Sequence, residues 1–238
     1  NPQSLIYKQY TRTLYCSTTI KVDSNGKLYT EYCRCHKWCR TCSGIRTTKL
    51  ISGYQRQLDE IGDDIYFVTL TAVSCLSMDL KDFIERRNKI WRSITKHVVK
   101  TKKFADFKGL RANEITQRPN NKYHYHFHVL IKGRKQAEWL VSEWIQRNNA
   151  IQLDSANRKA QNIRKADAKT MLELCKYATK LDYRTDFKQT EDVFYQRLNF
   201  IFELLEGRQM FIPFGGLKKI KEEIQEEDLH KDTHIPEG

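Results

Sequence analysis

The chain has 238 residues, room for one large domain or one domain with a small appendage, and 39% hydrophobic with 11% aromatic content supports a packed core. Its 42 Lys and Arg against 29 Asp and Glu leave a formal +13 and a pI near 9.4, a balance that favours a polyanionic partner, nucleic acid first. No apolar run approaches the length of a transmembrane helix, which argues against a membrane role. Residues 221–238 hold two lysines and seven acids, so residues 1–220 carry the remaining 40 cations against 22 acids, a net +18. The N-terminus is polar, without the apolar segment of a secretory signal; the chain opens at Asn1 rather than a methionine, which leaves room for a removed upstream segment. Seven cysteines, four of them within residues 33–42, suit thiolate metal binding in a reducing compartment better than a disulfide framework. Cytoplasm is the expected location.

In chain order, residues 1–32 are polar and aromatic, and Asn25-Gly26 suits a hairpin turn between short strands. The cysteine-rich residues 33–42 follow. Leu50, Ile51, Tyr54, Leu58 and Ile61 recur at helical spacing from about Arg46 to Ile61. Residues 65–73 read as a buried strand, and Asp79 as the N-cap of a long helix to about Lys102. A strand near 109–117, a turn at Pro119-Asn-Asn121 and a strand from Lys122 to Ile131 come next. Helices are expected at 135–149, 167–181 and 190–206, with a charged tail from Lys218 that reads as frayed. The expected division is a cysteine-rich N-terminal segment (1–62), a main domain (63–217) and a charged tail (218–238). Strands interleaved with helices around a central hairpin point to an α+β fold with a central antiparallel sheet flanked by helices.

The run Lys122-Tyr-His-Tyr-His-Phe-His-Val-Leu-Ile131 places His124, His126 and His128 at alternate positions. On a strand they emerge on one face, with Tyr123, Tyr125, Phe127 and Val129 on the other. Imidazole is a good ligand for divalent metals. With the turn at 119–121, Glu114 falls roughly opposite His126, and two histidines with one carboxylate leave coordination positions open. His124 is assigned a supporting role. A solvated histidine face without metal is the simpler alternative.

A second group lies in Glu173-Leu-Cys-Lys176-Tyr177-Ala-Thr-Lys180. On a helix Tyr177 shares a face with Glu173 one turn earlier and Lys180 one turn later. A phenol with a pKa near 10 needs nearby cations or a metal to act as a nucleophile. Lys176 and Lys180 supply cations that suit a phosphate, and Glu173 can accept a proton from an attacking water or hydroxyl.

His126-Phe127-His128 resembles the histidine–hydrophobic–histidine signature of the HUH endonucleases, and Tyr177 with Lys180 resembles their tyrosine motif. Within that superfamily the chain most resembles rolling-circle replication initiators of small bacterial plasmids. Phe67-Val-Thr-Leu-Thr71 is similar to their first conserved strand, Glu114 to the glutamate that completes their metal site, and Gly207-Arg208 with Phe214-Gly215-Gly216 to their C-terminal end. The likeness covers roughly residues 30–218. It implies an HUH/Rep-type core of ferredoxin or RRM-like topology and catalytic Mg²⁺ or Mn²⁺ at Glu114, His126 and His128. It implies, further, attack by Tyr177 on single-stranded DNA at a replication origin, giving a 5′-phosphotyrosine and a free 3′-hydroxyl. Glu173 corresponds to the glutamate that activates water at termination in single-tyrosine members; Tyr183 is the second choice of nucleophile. A host helicase, a polymerase and further copies of the chain are the partners it implies.

Cys33, Cys35, Cys39 and Cys42 offer four thiolates for structural Zn²⁺, the Cys39-x-x-Cys42 pair at chelating spacing. The first pair is tighter than usual, so His36 or Cys16 is an alternative ligand, and free thiols are the alternative to zinc. The similar initiators carry a cysteine cluster here as well. Such a staple would present Arg34, Lys37, Arg40 and Arg46 to DNA. Cys75 and Cys175 read as buried thiols. A transposase or relaxase of the same chemistry, and a zinc-stapled nucleic-acid-binding module without catalysis, are the competing readings.

Overall fold

The computed structural model describes residues 7–26, 28–35, 39–151, 155–167, 169–178, 190–221 and 223, the side chains of 176–178 excepted. The described elements are, in order, α1 (Tyr7–Leu14), β1 (Ile20–Val22), β2 (Leu28–Thr30), α2 (Arg40–Ile61), β3 (Ile65–Leu70), β4 (Cys75–Leu76), α3 (Leu80–Thr101), β5 (Gly109–Arg118), β6 (Lys122–Lys132), α4 (Arg134–Asn149), β7 (Asn162–Lys165), α5 (Thr170–Ala178), α6 (Glu191–Leu205) and β8 (Phe211–Phe214). Two compact units result, one drawn from residues 1–54, 190–208 and 220–238, the other from 55–189 and 209–219. No described helix is long and apolar enough to cross a membrane.

The second unit is built on a wholly antiparallel sheet in the order β7-β3-β6-β5-β8, with β4 pairing β6 beyond the end of β3. Its backbone is the hairpin of β5 and β6. Asn120 and Asn121 turn that hairpin in left-handed backbone (φ 57 and 56), the conformation a two-residue turn demands and asparagine tolerates. Alternation then sorts the side chains of β6. Tyr123, Tyr125, Phe127, Val129 and Ile131 are all buried. Phe127 meets Trp91 of α3 and Trp144 of α4 at ring-centroid distances of 5.9 and 5.2 Å, so those two helices cover this face. Arg111 is buried among the same rings, its guanidinium 4.1 Å from the Phe127 centroid and bonded to Asn88 at 2.8 Å. The even-numbered residues of β6, the three histidines among them, face the other way.

In the first unit, α1 and α6 are tied by the Tyr10 hydroxyl, which donates to Asn199 at 3.1 Å, and by the Tyr10 and Phe202 rings. These contacts group residues 190–206 with the N-terminal segment, whereas the sequence placed them in the main domain. Other departures are local. Helix α1 spans only eight residues and is not foreseen from sequence. Strand β3 stops at Leu70 instead of continuing to Val73. Asp79 occupies the N-cap position of α3 as expected, but its side chain makes no capping hydrogen bond and a short 3-10 turn, Ser77–Asp79, leads into the helix. Strands β4, β7 and β8 have two to four residues, too few to display a period. The tail beyond 223 lies outside the described residues.

Candidate metal centre

Strand pairing sets Glu114 directly across from His126, with Ala112 across from His128 and Thr116 across from His124. Directly paired residues project to one side of a sheet, so one carboxylate and two imidazoles meet above the hairpin. Glu114 Oε2 lies 2.7 Å from His126 Nε2 and 3.0 Å from His128 Nε2. Their ligand atoms all fall within 4.8 Å of one another. Burial works to raise the Glu114 pKa, but the two imidazole hydrogen bonds and their charge outweigh it, and the carboxyl is held well below its usual range. Burial also pushes the His128 imidazole below its ordinary pKa, against the pull of Glu114. The centre offers two imidazole nitrogens and one carboxylate oxygen as donors. His126 Nδ1 is buried and has no partner among the described residues, while His128 Nδ1 lies 3.4 Å from the Thr69 hydroxyl. A borderline or hard divalent cation fits this donor set, with room for further ligands.

His124 is engaged elsewhere. One ring nitrogen bonds the Thr71 hydroxyl and the other the Ser74 hydroxyl at 3.1 Å. Thr71 is itself held by its backbone: its N–H donates to Gln161 Oε1 at 2.8 Å, and its carbonyl accepts from Gln161 Nε2 at 3.0 Å and Trp144 Nε1 at 2.9 Å. Gln161 and Trp144 therefore fix the point where β3 ends and, through Thr71, the His124 ring. Neither residue is marked by sequence for this role, because Trp144 and Gln161 act on the Thr71 backbone across 73 and 90 positions of chain.

Helix α5 carries Glu173 and, in its last turn, Lys176 and Tyr177. It packs on β5 and β6. Glu173 is close enough to His128 for its charge to act on the imidazole, so α5 lies on the histidine side of the sheet. Arg164 of β7 ion-pairs with Glu173 and donates to the Thr170 hydroxyl at 3.2 Å. Its guanidinium also sits 4.6 Å from the Phe67 centroid, and Phe67 stacks on His128 at 5.5 Å. Arg164 thus connects Glu173 to the histidine strand; the sequence hid it inside what reads as a polar connection. Lys180 and Tyr183 fall outside the described residues, as do the side chains of Lys176 and Tyr177.

In the first unit the sulfurs that converge are those of Cys16, Cys33, Cys39 and Cys42, all within 4.8 Å. Cys42 Sγ is 3.6 Å from both Cys16 Sγ and Cys33 Sγ. That is far from a disulfide bond of about 2.05 Å and close to the edge of a tetrahedron with Zn–S near 2.3 Å, about 3.8 Å. The expected set is corrected at one position. Cys35 turns away and donates to the Cys33 carbonyl at 3.3 Å, because left-handed backbone at Arg34 (φ 57) reverses the chain between the two cysteines. Cys16 supplies the fourth sulfur from the turn after α1. Burial pushes the thiols of Cys16, Cys33 and Cys42 above their ordinary pKa, a cost that a bound dication would offset. A second correction concerns Arg46, which is 1% exposed and so is not offered to DNA. Arg34 and Arg40 are exposed; His36 and Lys37 lie outside the described residues.

With these groups in place, comparison with known proteins is decisive at the level of family. Residues 26–237 match the model of a family described as replication protein. The chain belongs to the replication-protein family. It is 29% identical over 272 aligned positions to "Protein rep" of Lentilactobacillus hilgardii, covering 97% of this chain and 79% of the relative. It is 28% identical over 172 positions to "Protein rep" of Staphylococcus aureus, covering 65% of this chain and 72% of that relative. No solved structure matches this replication protein.

Proposed function

We propose that the protein initiates rolling-circle replication of a plasmid by nicking one DNA strand at the origin, as an HUH-type endonuclease and strand transferase. The observation that carries this reading is the convergence of Glu114, His126 and His128 beneath the helix that bears Glu173 and Tyr177, in a chain of the replication-protein family. Glu114, His126 and His128 would hold Mg²⁺ or Mn²⁺, which when bound supplies Lewis-acid polarisation and orientation of the scissile phosphate. Tyr177 attacks phosphorus, and its oxygen replaces the 3′-oxygen of the neighbouring nucleotide. A 5′-phosphotyrosine forms, and the departing 3′-oxygen takes up a proton to become the primer hydroxyl. Lys176 and Lys180 lower the cost of the phenolate and counter phosphate charge. At termination Glu173 takes a proton from the water that attacks the phosphotyrosine, and Tyr177 is restored as the phenol. Arg164 keeps Glu173 aimed at the histidine face. The four sulfurs of Cys16, Cys33, Cys39 and Cys42 would hold a structural Zn²⁺ with no open position. Single-stranded origin DNA is the substrate, with replication machinery of the host as the downstream partner.

The test is a denaturing gel after incubation of the protein with single-stranded origin oligonucleotides and Mn²⁺. The expected result is a covalent protein–DNA band that disappears in Tyr177→Phe. Binding without an adduct across the whole origin, metal present, would overturn the reading and leave a non-catalytic DNA-binding module.

A further inference from the structure

The helix α3 ends in a stretch the catalytic reading leaves unused: Lys96, His97, Lys100, Lys102 and Lys103, followed by Phe104. All five basic or imidazole side chains are exposed, as is Val99 at 77%. The helix C-terminus explains a cation in the last turn, Lys100 being the one placed there, but not the whole group. Among the described residues, no carboxylate pairs with Lys96, Lys100, Lys102 or Lys103. The only acid between residues 96 and 108 is Asp106. It is already taken by Lys108 and Lys132 at 2.9 Å each, which hold its pKa down to about 2.

Rings stand beside these cations. Trp139 of α4 and Phe104 are half-buried, with centroids 5.4 Å apart and planes near perpendicular, over the buried Phe107. The His97 ring lies nearly parallel to the Trp139 indole at 6.1 Å, with an interplanar angle of 18°. The Lys103 ammonium is 5.6 Å from the Trp139 centroid and 5.8 Å from that of Phe104. A surface that already accepts a flat heterocycle against an indole, and is ringed by uncompensated cations, matches the two demands of an unpaired nucleic-acid strand: stacking for bases and charge for phosphates.

We propose that the end of α3, the loop to β5 and Trp139 of α4 form a second contact for single-stranded DNA, distinct from the metal centre. The contact lies on the side of the sheet that α3 and α4 cover, whereas Glu114 and the metal-facing histidines lie on the other. It also lies at the Gly109 end of β5, five residues and about 17 Å along the strand from Glu114. A strand cut at the metal centre reaches it only by passing around the sheet, so its function is to hold DNA, not to position the scissile phosphate. The inference requires DNA as partner but no cleavage chemistry, and it stands whether or not Tyr177 is a nucleophile.

Fluorescence anisotropy of a labelled oligothymidylate of about 30 nucleotides, long against usual single-strand site sizes, tests this on the full chain without added divalent metal. A blunt duplex of the same length is the comparison. Trp139→Ala is expected to weaken oligothymidylate binding about tenfold, the loss of one stacked base, and duplex binding less than about twofold, because paired bases offer no free face to the ring. Lys100→Gln with Lys103→Gln should flatten the slope of log affinity against log salt for the single strand by about 1.4, or about 0.7 per phosphate contact. Equal losses on single strand and duplex would overturn the proposal, since the patch would then act through charge alone. So would an unchanged slope in the lysine variant, whose exposed side chains leave the core intact; it decides the matter if Trp139→Ala fails to fold.

Discussion

Glu114 is 3% exposed and gives one oxygen to two imidazoles, an arrangement that a protein keeps out of water only with charge and hydrogen bonds well matched. The three histidines of β6 look equivalent in sequence, and two of them share that carboxylate while the third is committed to Thr71 and Ser74. Their roles separate accordingly. His126→Ala is expected to lower origin cleavage at least about 100-fold, the scale of losing a metal ligand or its partner, while salt-sensitive DNA binding changes by less than about twofold because phosphate contacts dominate affinity. His124→Ala should leave metal binding in place and lower thermal stability instead. Isothermal titration with Mn²⁺, a gel-based cleavage assay and a melting curve separate the two; loss of Mn²⁺ binding in His124→Ala would return that residue to the ligand set. The alternation of His124, His126 and His128 and the position of Glu114 across a hairpin are readable from sequence, because period two and the turn at Asn120 and Asn121 fix a register. The diversion of His124 is not readable, since Thr71 and Ser74 reach it from the connection between β3 and β4.

The β5–β6 hairpin carries the centre because both strands are long, 10 and 11 residues, and β6 buries Tyr123, Tyr125, Phe127, Val129 and Ile131 on the face opposite the histidines. Helix α5 closes the histidine side and brings Glu173 with it, and β7 brings Arg164. Short elements of this kind contribute residues to a site without announcing themselves. The cysteine cluster shows the same limit from the other side. Four closely spaced cysteines in residues 33–42 advertise thiolate chemistry, yet one sulfur of the converging set comes from Cys16, beyond the β1–β2 hairpin. Cys16→Ser is therefore expected to remove the bound zinc, whereas Cys35→Ser retains it, with about one zinc per chain, read by metal analysis of purified protein. The Cys16→Ser variant should also melt earlier, because binding energy at a structural zinc site is folding energy. Full zinc content in Cys16→Ser and loss in Cys35→Ser would reverse the assignment.

At the scale of the whole molecule the charge is divided: a net +18 over residues 1–220 and −5 over residues 221–238. Uncompensated cations on the α3–α4 side and the exposed Arg34 and Arg40 suit a polyanion, whereas residues 221–238 carry the opposite charge. Removing residues 221–238 is expected to raise affinity for random-sequence single-stranded DNA several-fold at low salt, with the gain shrinking toward higher salt as screening takes over. Unchanged affinity at low salt would show that the segment does not oppose DNA. The division of the chain into two units, with α6 joined to the N-terminal segment, depends on contacts such as Tyr10 with Asn199 and Phe202 that lie nearly two hundred residues apart.

By itself the amino-acid sequence determined the α+β class, the hairpin and its register, the histidine face, the partner carboxylate and the basic balance. Each of these rests on local periodicity, turn chemistry or composition, which act within a few residues. Only the tertiary structure decided that Cys16 and not Cys35 joins the sulfur cluster, that Arg46 is buried, that Arg164 holds Glu173, and that Trp139 stands beside His97 and Lys103. Those outcomes depend on which distant segments meet. Packing of α3, α4 and α5 on two sides of one sheet sets the last two, and the folding of residues 1–54 within the other unit sets the first two; no pattern within a single segment encodes either choice.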